Sequence, residues 1–251
     1  MGLFGRRKRD LDDEEPGFAD DYDGDAEYGE LGGEVGGDLF DDAGPYDTED
    51  APADGVPRLD FGAVRLPVTP CVGFRLTPGN GLEPVRGSRF AAKMSQDGAV
   101  ASELNFATEL CLVTLSAYAA PRSGELWREE WCGELADNMR AKGTKVQSTA
   151  GAWGQELLAT YPGEVWRFVG VDGPRWLLRA AVCSAPDRVD NAAAALYELM
   201  RGTVVVRGTT PMPVGMPLPL TLPPPVLAYV QAQARARAQA LANEQARAAQ
   251  G

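Results

Sequence analysis

The residues best placed to do chemistry in this chain are arginines set beside aromatic rings. Asp172-Gly173-Pro174 is a turn signal, and a hairpin closing around Val171 to Pro174 pairs Gly170 with Arg175, Phe168 with Leu177 and Trp166 with Arg179. That register puts Trp166, Arg175 and Arg179 on one sheet face and Arg167 on the other. A guanidinium over an indole gains cation–π attraction and still offers paired N–H donors, so the ligand implied is a carboxylate or phosphate. The competing reading is structural: the arginine stems cover the sheet, or their heads pair with Asp172 and helix carboxylates. Trp166, Arg175 and Arg179 are the candidate ligand-binding residues, and no catalytic residue is assigned.

Other chemistries are removed by what the chain lacks. It contains no histidine, which excludes Ser-His-Asp and Cys-His nucleophile activation and imidazole metal sites. Its four cysteines, Cys71, Cys111, Cys132 and Cys183, form no C-x-x-C pair, so a zinc knuckle or a thioredoxin-type motif is not expected. Cys111 and Cys183 sit in apolar runs, where a thiol acts as a small core residue. Gly79-Asn80-Gly81 is followed by Pro84 where a phosphate loop needs a third glycine, and there is no Walker lysine. Glu129, Glu130 and Glu134 read as a solvated helix face rather than a metal site, because no other ligand converges on them in sequence. No metal and no cofactor are expected.

The elements that must position the arginines follow from periodicity. Short strands are expected at Phe61–Leu66 and Val72–Leu76, then at 99–106 and 108–118. The last is an almost continuous apolar run, the mark of a central strand covered on both faces or nearly so. A helix follows from Ser123, a capping residue, to Lys142, with Gly143 suited to the left-handed position after it. Trp127, Trp131, Leu135 and Met139 recur every fourth residue, which places Trp131 in a helix–sheet core. Strands are then expected at Thr144–Thr149, Gln155–Tyr161, Val165–Val171 and Arg175–Cys183, a helix from about Asp187 or Asp190 to Arg201, and a short strand at Val204–Val206.

Charge divides the chain into parts. Residues 1–55 hold 19 of the 36 acidic and 4 of the 24 basic residues, so the remainder carries three more bases than acids. The acidic segment shows neither helical nor strand period and cannot offset its ordering entropy, so residues 1–55 are expected to be a disordered acidic arm. Residues 56–210 are the folded domain, 211–225 a proline-rich strap in polyproline II with Leu218, Leu220 and Leu222 along the body, and 226–251 an Ala/Gln/Arg-rich terminal helix. Three arginines on that helix are too sparse to favour nucleic acid. Acids directly follow Arg6-Arg7-Lys8-Arg9 where a signal peptide needs an apolar stretch, and no run approaches a membrane span, so a reducing cytoplasm is the expected compartment.

Ala119-Ala120-Pro121-Arg122-Ser123-Gly124-Glu125-Leu126-Trp127, Gly154-Gln155-Glu156-Leu157, the run from Arg167 to Arg179, and Val204-Val205-Val206-Arg207-Gly208 with Pro211-Met212-Pro213 together resemble the actinobacterial domain-of-unknown-function family 3710. The order and spacing match from about Val56 to Pro223. The resemblance implies a bacterial cytoplasmic protein preceded by an acidic arm, and it implies no activity.

The fold expected is α+β: an antiparallel sheet with two main helices packed on it, mainly on one face, in an element order distantly similar to the Mog1/PsbP-like fold. Lacking a catalytic constellation and carrying interaction-prone ends, the chain reads as a non-enzymatic binding or adaptor module. Its partner is expected to be a protein, with a small anionic ligand as the other candidate. The alternative is a histidine-free enzyme acting on a small anionic substrate through Arg and carboxylate groups.

Overall fold

A computed structural model describes residues 44–78, 81–96 and 100–248. Thirteen strands and three principal helices are present among these residues. In chain order they are β1 (Tyr46–Asp47), β2 (Arg58–Asp60), β3 (Val64–Pro67), β4 (Phe74–Thr77), β5 (Gly81–Pro84), β6 (Arg89–Met94), β7 (Ala101–Ala107) and β8 (Leu112–Ala119). There follow α1 (Cys132–Ala141), β9 (Lys145–Gly151), β10 (Gly154–Tyr161), β11 (Glu164–Gly173), β12 (Trp176–Ser184), α2 (Val189–Arg201), β13 (Val204–Val205) and α3 (Pro224–Ala248). The fold is the expected α+β class.

The centre is a seven-stranded antiparallel sheet in the order β6-β7-β8-β12-β11-β10-β9. Strict alternation of side chains gives it two unlike faces. One carries Leu104, Phe106, Val113, Leu115, Ala117, Val169, Leu178, Ala180 and Val182. These join Phe61, Val64, Leu66, Leu196, Leu199 and Met200 in the larger core. Helix α2 and a four-stranded sheet in the order β1-β13-β3-β2 supply that cover. On the opposite face Leu157, Ala159 and Leu177 pack against Leu126, Trp127, Cys132, Ala136 and Met139 of the α1 region. The two helices therefore lie on opposite faces, which corrects the expectation of helices mainly on one. The physical reason is amount: the second face of β10, β11 and β12 is itself apolar and needs a cover of its own.

Helix α1 does not begin at Ser123. Gly124 takes a left-handed backbone (φ 64°), and Trp127–Trp131 form a π-helical turn that leads into α1. The cap comes from across the molecule: Asp172 accepts the backbone N–H groups of Trp127 (2.9 Å) and Arg128 (3.2 Å). A carboxylate at this position satisfies orphan donors and complements the helix dipole. The π turn also rotates the aromatic stripe. Trp127 is 2% exposed and Trp131 only half-buried, standing edge-on to Tyr118 with ring centroids 4.8 Å apart.

The β11–β12 hairpin departs from its expected register. Gly173 pairs with Trp176, Gly170 with Arg179, Phe168 with Ala181 and Trp166 with Cys183. The turn is the two-residue link Pro174–Arg175, with Arg175 at φ 62°. Asp172-Gly173 is a turn signal overruled because Asp172 is held in the strand by the helix it caps. The slip is four residues, an even number, so every side chain that stays in the two strands keeps its face.

Residues 44–55 belong to the body, which moves the start of the folded domain before Val56. Tyr46 and Asp47 pair parallel with Val204 and Val205, and the Asp47 carboxylate accepts Trp176 Nε1–H at 2.8 Å. The rest of the acidic arm, residues 1–43, lies outside the described residues. The proline-rich segment lies along the sheet. Leu220 exchanges backbone hydrogen bonds with Ala101 (2.7 and 2.9 Å), Leu218 N–H donates to Ala117 (2.8 Å), and both leucines are buried. Helix α3 is anchored at its start by buried Val226 and by Tyr229, whose hydroxyl donates to the Ser88 carbonyl at 2.8 Å. No helix among the described residues is long and apolar enough to cross a membrane.

Two outcomes follow from this packing. Trp127→Ala empties a sealed site and should cost about 3–5 kcal/mol in urea unfolding, with Trp131→Ala costing clearly less; equal costs would contradict the assigned helix face. A chain starting at Val56 should melt several degrees below one starting at Gly44, because it loses β1 and the Asp47–Trp176 hydrogen bond. Equal melting temperatures would show that residues 44–55 contribute nothing to the fold.

Candidate functional site

The α1 region covers only part of its sheet face. It lies over β9, β10 and β11, while β7, β8 and β12 present side chains that it does not reach. Strand registry arranges these in rungs. One rung runs Asn105, Thr114, Ala181, Phe168, and the next Ala107, Leu112, Cys183, Trp166. On the other side of the first, Ser116 sits opposite Arg179, which sits opposite Gly170, and continuing the β7–β8 register by one residue brings Glu103 beside Ser116. Leu135 of α1 forms the wall. Of these residues all but Ala107, Gly170 and Cys183 line a groove of about 370 Å³, within the size range of small-ligand sites.

The groove is graded along the strands. At the Trp166 end it is apolar, with the rings of Trp166 and Phe168 stacked at 6.0 Å and 16° between planes. At the other end stand Glu103, Ser116 and Arg179 in one row. Adjacent strands lie about 4.8 Å apart, so Glu103 and Arg179 are separated by roughly 10 Å at the backbone. The Arg179 guanidinium lies over the Tyr118 ring, 5.2 Å from its centroid, and among the described residues no carboxylate stands within ion-pair distance of it. Glu103 is held by a relay: Thr114 Oγ1 donates to Asn105 Oδ1 at 2.8 Å, and Asn105 Nδ2 donates to Glu103 Oε1 at 3.2 Å. Ser116 is 1% exposed and lines the groove. Its hydroxyl has no hydrogen-bond partner among the described residues.

Two of the three sequence-designated residues, Trp166 and Arg179, line this groove. Arg175 does not. It sits at the hairpin turn, exposed, four residues from Arg179, with its carbonyl accepting Ala120 N–H (2.9 Å) and Arg207 Nε–H (3.1 Å). Glu103, Asn105, Thr114 and Ser116 were not designated. The signal for Glu103 and Asn105 was available in the alternation of Glu103-Leu104-Asn105-Phe106, whose two polar members share one face. The run at 108–118 suggests cover on both faces or nearly so, and the groove side is the lesser-covered one, with Leu112, Thr114 and Tyr118 half-buried there.

A second polar cluster lies under the opposite face. Glu156, 1% exposed, accepts hydrogen bonds at Oε2 from Arg167 Nη1 (2.8 Å) and from the Tyr197 hydroxyl (2.7 Å). Tyr197 is on α2, so this trio ties the helix to β10 and β11. Glu156 Oε1, Arg167 Nε and Thr149 Oγ1 have no partner among the described residues. Burial, reinforced by Glu156, pushes the Tyr197 hydroxyl up to about 12. Burial also lifts Cys71 to about 12 and, with Glu164 contributing, Cys183 to about 11. All four cysteines are free and buried, and no group of three or more metal-ligating side chains occurs among the described residues.

A family model described as Protein of unknown function (DUF3710) matches residues 44–228, which take in all thirteen strands, α1, α2 and the start of α3. The chain belongs to that family. No curated protein matches the sequence.

These raised values carry a definite sign. Each group keeps its proton to higher pH folded than unfolded, so the stability it contributes is complete below about pH 9 and is lost as pH rises toward 12. Urea midpoints should fall steadily from pH 8.5 to 11, and less steeply in the Cys71→Ala, Tyr197→Phe double variant. A flat wild-type profile would contradict the assignment.

Proposed function

We propose, with that membership as premise, that the protein is a non-enzymatic binding module whose site is the groove between α1 and the open half of the large sheet. The observation that carries this reading is Arg179: a guanidinium at the end of an apolar groove, steadied by Tyr118, with no carboxylate partner among the described residues. A charge placed this way favours an anionic group on the ligand, while Trp166, Phe168 and Leu135 favour an apolar body. The ligand is therefore a small amphiphile that carries an anionic group. The surface is too narrow for a protein–protein core of standard area, so an adaptor role would fall to the acidic N-terminal segment or to α3.

Capture rather than turnover is favoured by the groups present. Among the described residues the Ser116 hydroxyl has no hydrogen-bond partner, and so none of them stands to it as the hydrogen-bonded base that nucleophilic catalysis needs. The buried Glu156–Arg167–Tyr197 trio lies under the other sheet face, apart from the groove.

The test uses 8-anilinonaphthalene-1-sulfonate, an anionic amphiphile that brightens in apolar sites. It should bind the full chain, lose at least tenfold in affinity on Arg179→Gln, and be excluded by Ala181→Trp, which fills the groove floor. Arg175→Gln should change nothing. Undiminished binding to both groove variants, with their folds intact by circular dichroism, would remove the groove as the site.

A further inference from the structure

The polar end of the groove contains more than an anion receptor. Glu103, Ser116 and Arg179 form one row across β7, β8 and β12, and each is prepared differently. Arg179 is set by Tyr118. Glu103 is aimed through the Thr114–Asn105 relay, which engages Oε1 and leaves Oε2 without a hydrogen bond among the described residues. Between them stands Ser116, a residue 1% exposed that lines the groove and whose hydroxyl makes no hydrogen bond among the described residues, so it is free to meet a ligand atom there.

The two charges are opposite, yet they do not pair: no ion pair joins Glu103 to Arg179. A site for a simple carboxylate gains nothing from a fixed Glu beside it, because like charges repel at close range. A ligand bearing an ammonium group as well as a carboxylate uses both. With backbones roughly 10 Å apart, the Glu103 carboxylate drawn toward Asn105 and the Arg179 guanidinium over Tyr118, the two heads stand on either side of Ser116 with room between them for an α-ammonium and an α-carboxylate. Ser116 then serves either group. The third requirement is an apolar side chain, since the groove continues over Ala181 and Phe168 to Trp166, two rungs or about 13 Å along the strands.

We propose that the ligand is a zwitterion, a free α-amino acid with a bulky apolar side chain. Arg179 takes its carboxylate, Glu103 its ammonium, and Phe168 and Trp166 its side chain. This rests on the groove being the binding site and adds the class of molecule that occupies it.

Calorimetric titration of the full chain with L-phenylalanine, L-leucine and L-tryptophan tests it, with 3-phenylpropionate (no ammonium) and phenethylamine (no carboxylate) as matched probes. At least one of the amino acids should bind, and L-phenylalanine should bind tenfold or more above either truncated analogue. Glu103→Gln should erase the preference for L-phenylalanine over 3-phenylpropionate, and Ser116→Ala should weaken L-phenylalanine several-fold. Arg179→Gln should remove both carboxylates. If 3-phenylpropionate matches L-phenylalanine in the native chain, or if the preference survives Glu103→Gln, the zwitterion assignment is overturned while the groove remains a site for anions. Failure of all three amino acids in a chain that still binds the naphthalene sulfonate at Arg179 overturns it equally.

Discussion

Two carboxylate oxygens of Asp172 govern where the first helix lies, and the rest of the groove face follows from that. Asp172 belongs to β11, and by accepting the N–H groups of Trp127 and Arg128 it pins the start of the π turn above the sheet. Trp127 then has one place to go. It lies on Gly170, where a Cβ would stand 2.1 Å from Trp127 Cδ2, so only glycine admits the indole against the strand. Trp127 Nε1 donates to the Gln155 carbonyl at 2.8 Å, which fixes the ring in its plane. With its first turn clasped at three points, α1 must run over β9 to β11. Beyond Leu177 and Tyr118, the face of β7, β8 and β12 stays open because the helix has been drawn away from it.

The opposite face obeys a different constraint. There Glu156 is a carboxylate taken almost wholly out of water, tolerable only because Arg167 and Tyr197 meet it. Breaking such a cluster from one side leaves an unpaired buried charge and is costly, whereas the intact cluster adds little net stability. Its effect is on geometry: Tyr197 can satisfy Glu156 only when α2 is seated at one height along β10 and β11. Trp153 abuts the same tyrosine, ring centroids 5.6 Å apart, and its Nε1 donates to Gly44. The start of the folded domain, the second helix and the sheet are thereby locked together at one polar centre.

How much of this was legible can be read element by element. The β8, β10, β11 and β12 strands and both helices stood out because each carries a period long enough to survive local noise. Strands β5 and β6 did not, since Gly81–Pro84 and Arg89–Met94 pair in local hairpins with β4 and β7 and, being mostly exposed, carry little apolar pattern of their own. The hairpin turn was misplaced because Asp172-Gly173 is locally the better turn, and only the helix it caps explains why it is not used. That error was harmless for Trp166 and Arg179, which keep their shared face under an even slip, and decisive for Arg175, which passes from strand to turn. Trp131 was read as core because an α-helical period was assumed through a segment that is π-helical. The misplaced turn and the misread tryptophan both trace to Asp172 capping a helix 45 residues away, the kind of information that periodicity does not contain.

The polar rungs of the groove face show why an open sheet half is more than an unfinished core. An antiparallel sheet exposed on one face usually alternates toward well-hydrated side chains. Here the groove side of β8 instead runs Leu112, Thr114, Ser116, Tyr118, and β12 contributes Ala181 and Cys183 beside it. Small, weakly polar residues on the inner strands leave a depression, while the rim is built higher by Trp166, Phe168 and Leu135. Longer charged residues would have filled the depression and solvated the face at no cost to the fold. Arg89 and Lys93 do this on the outermost strand, β6, where both are exposed. The inner strands retain a hollow, and the two side chains long enough to bridge it, Glu103 and Arg179, stand on opposite sides of Ser116 without meeting. Such a face satisfies its own polar groups only in part, and a molecule that bridges the row completes what the strands leave open.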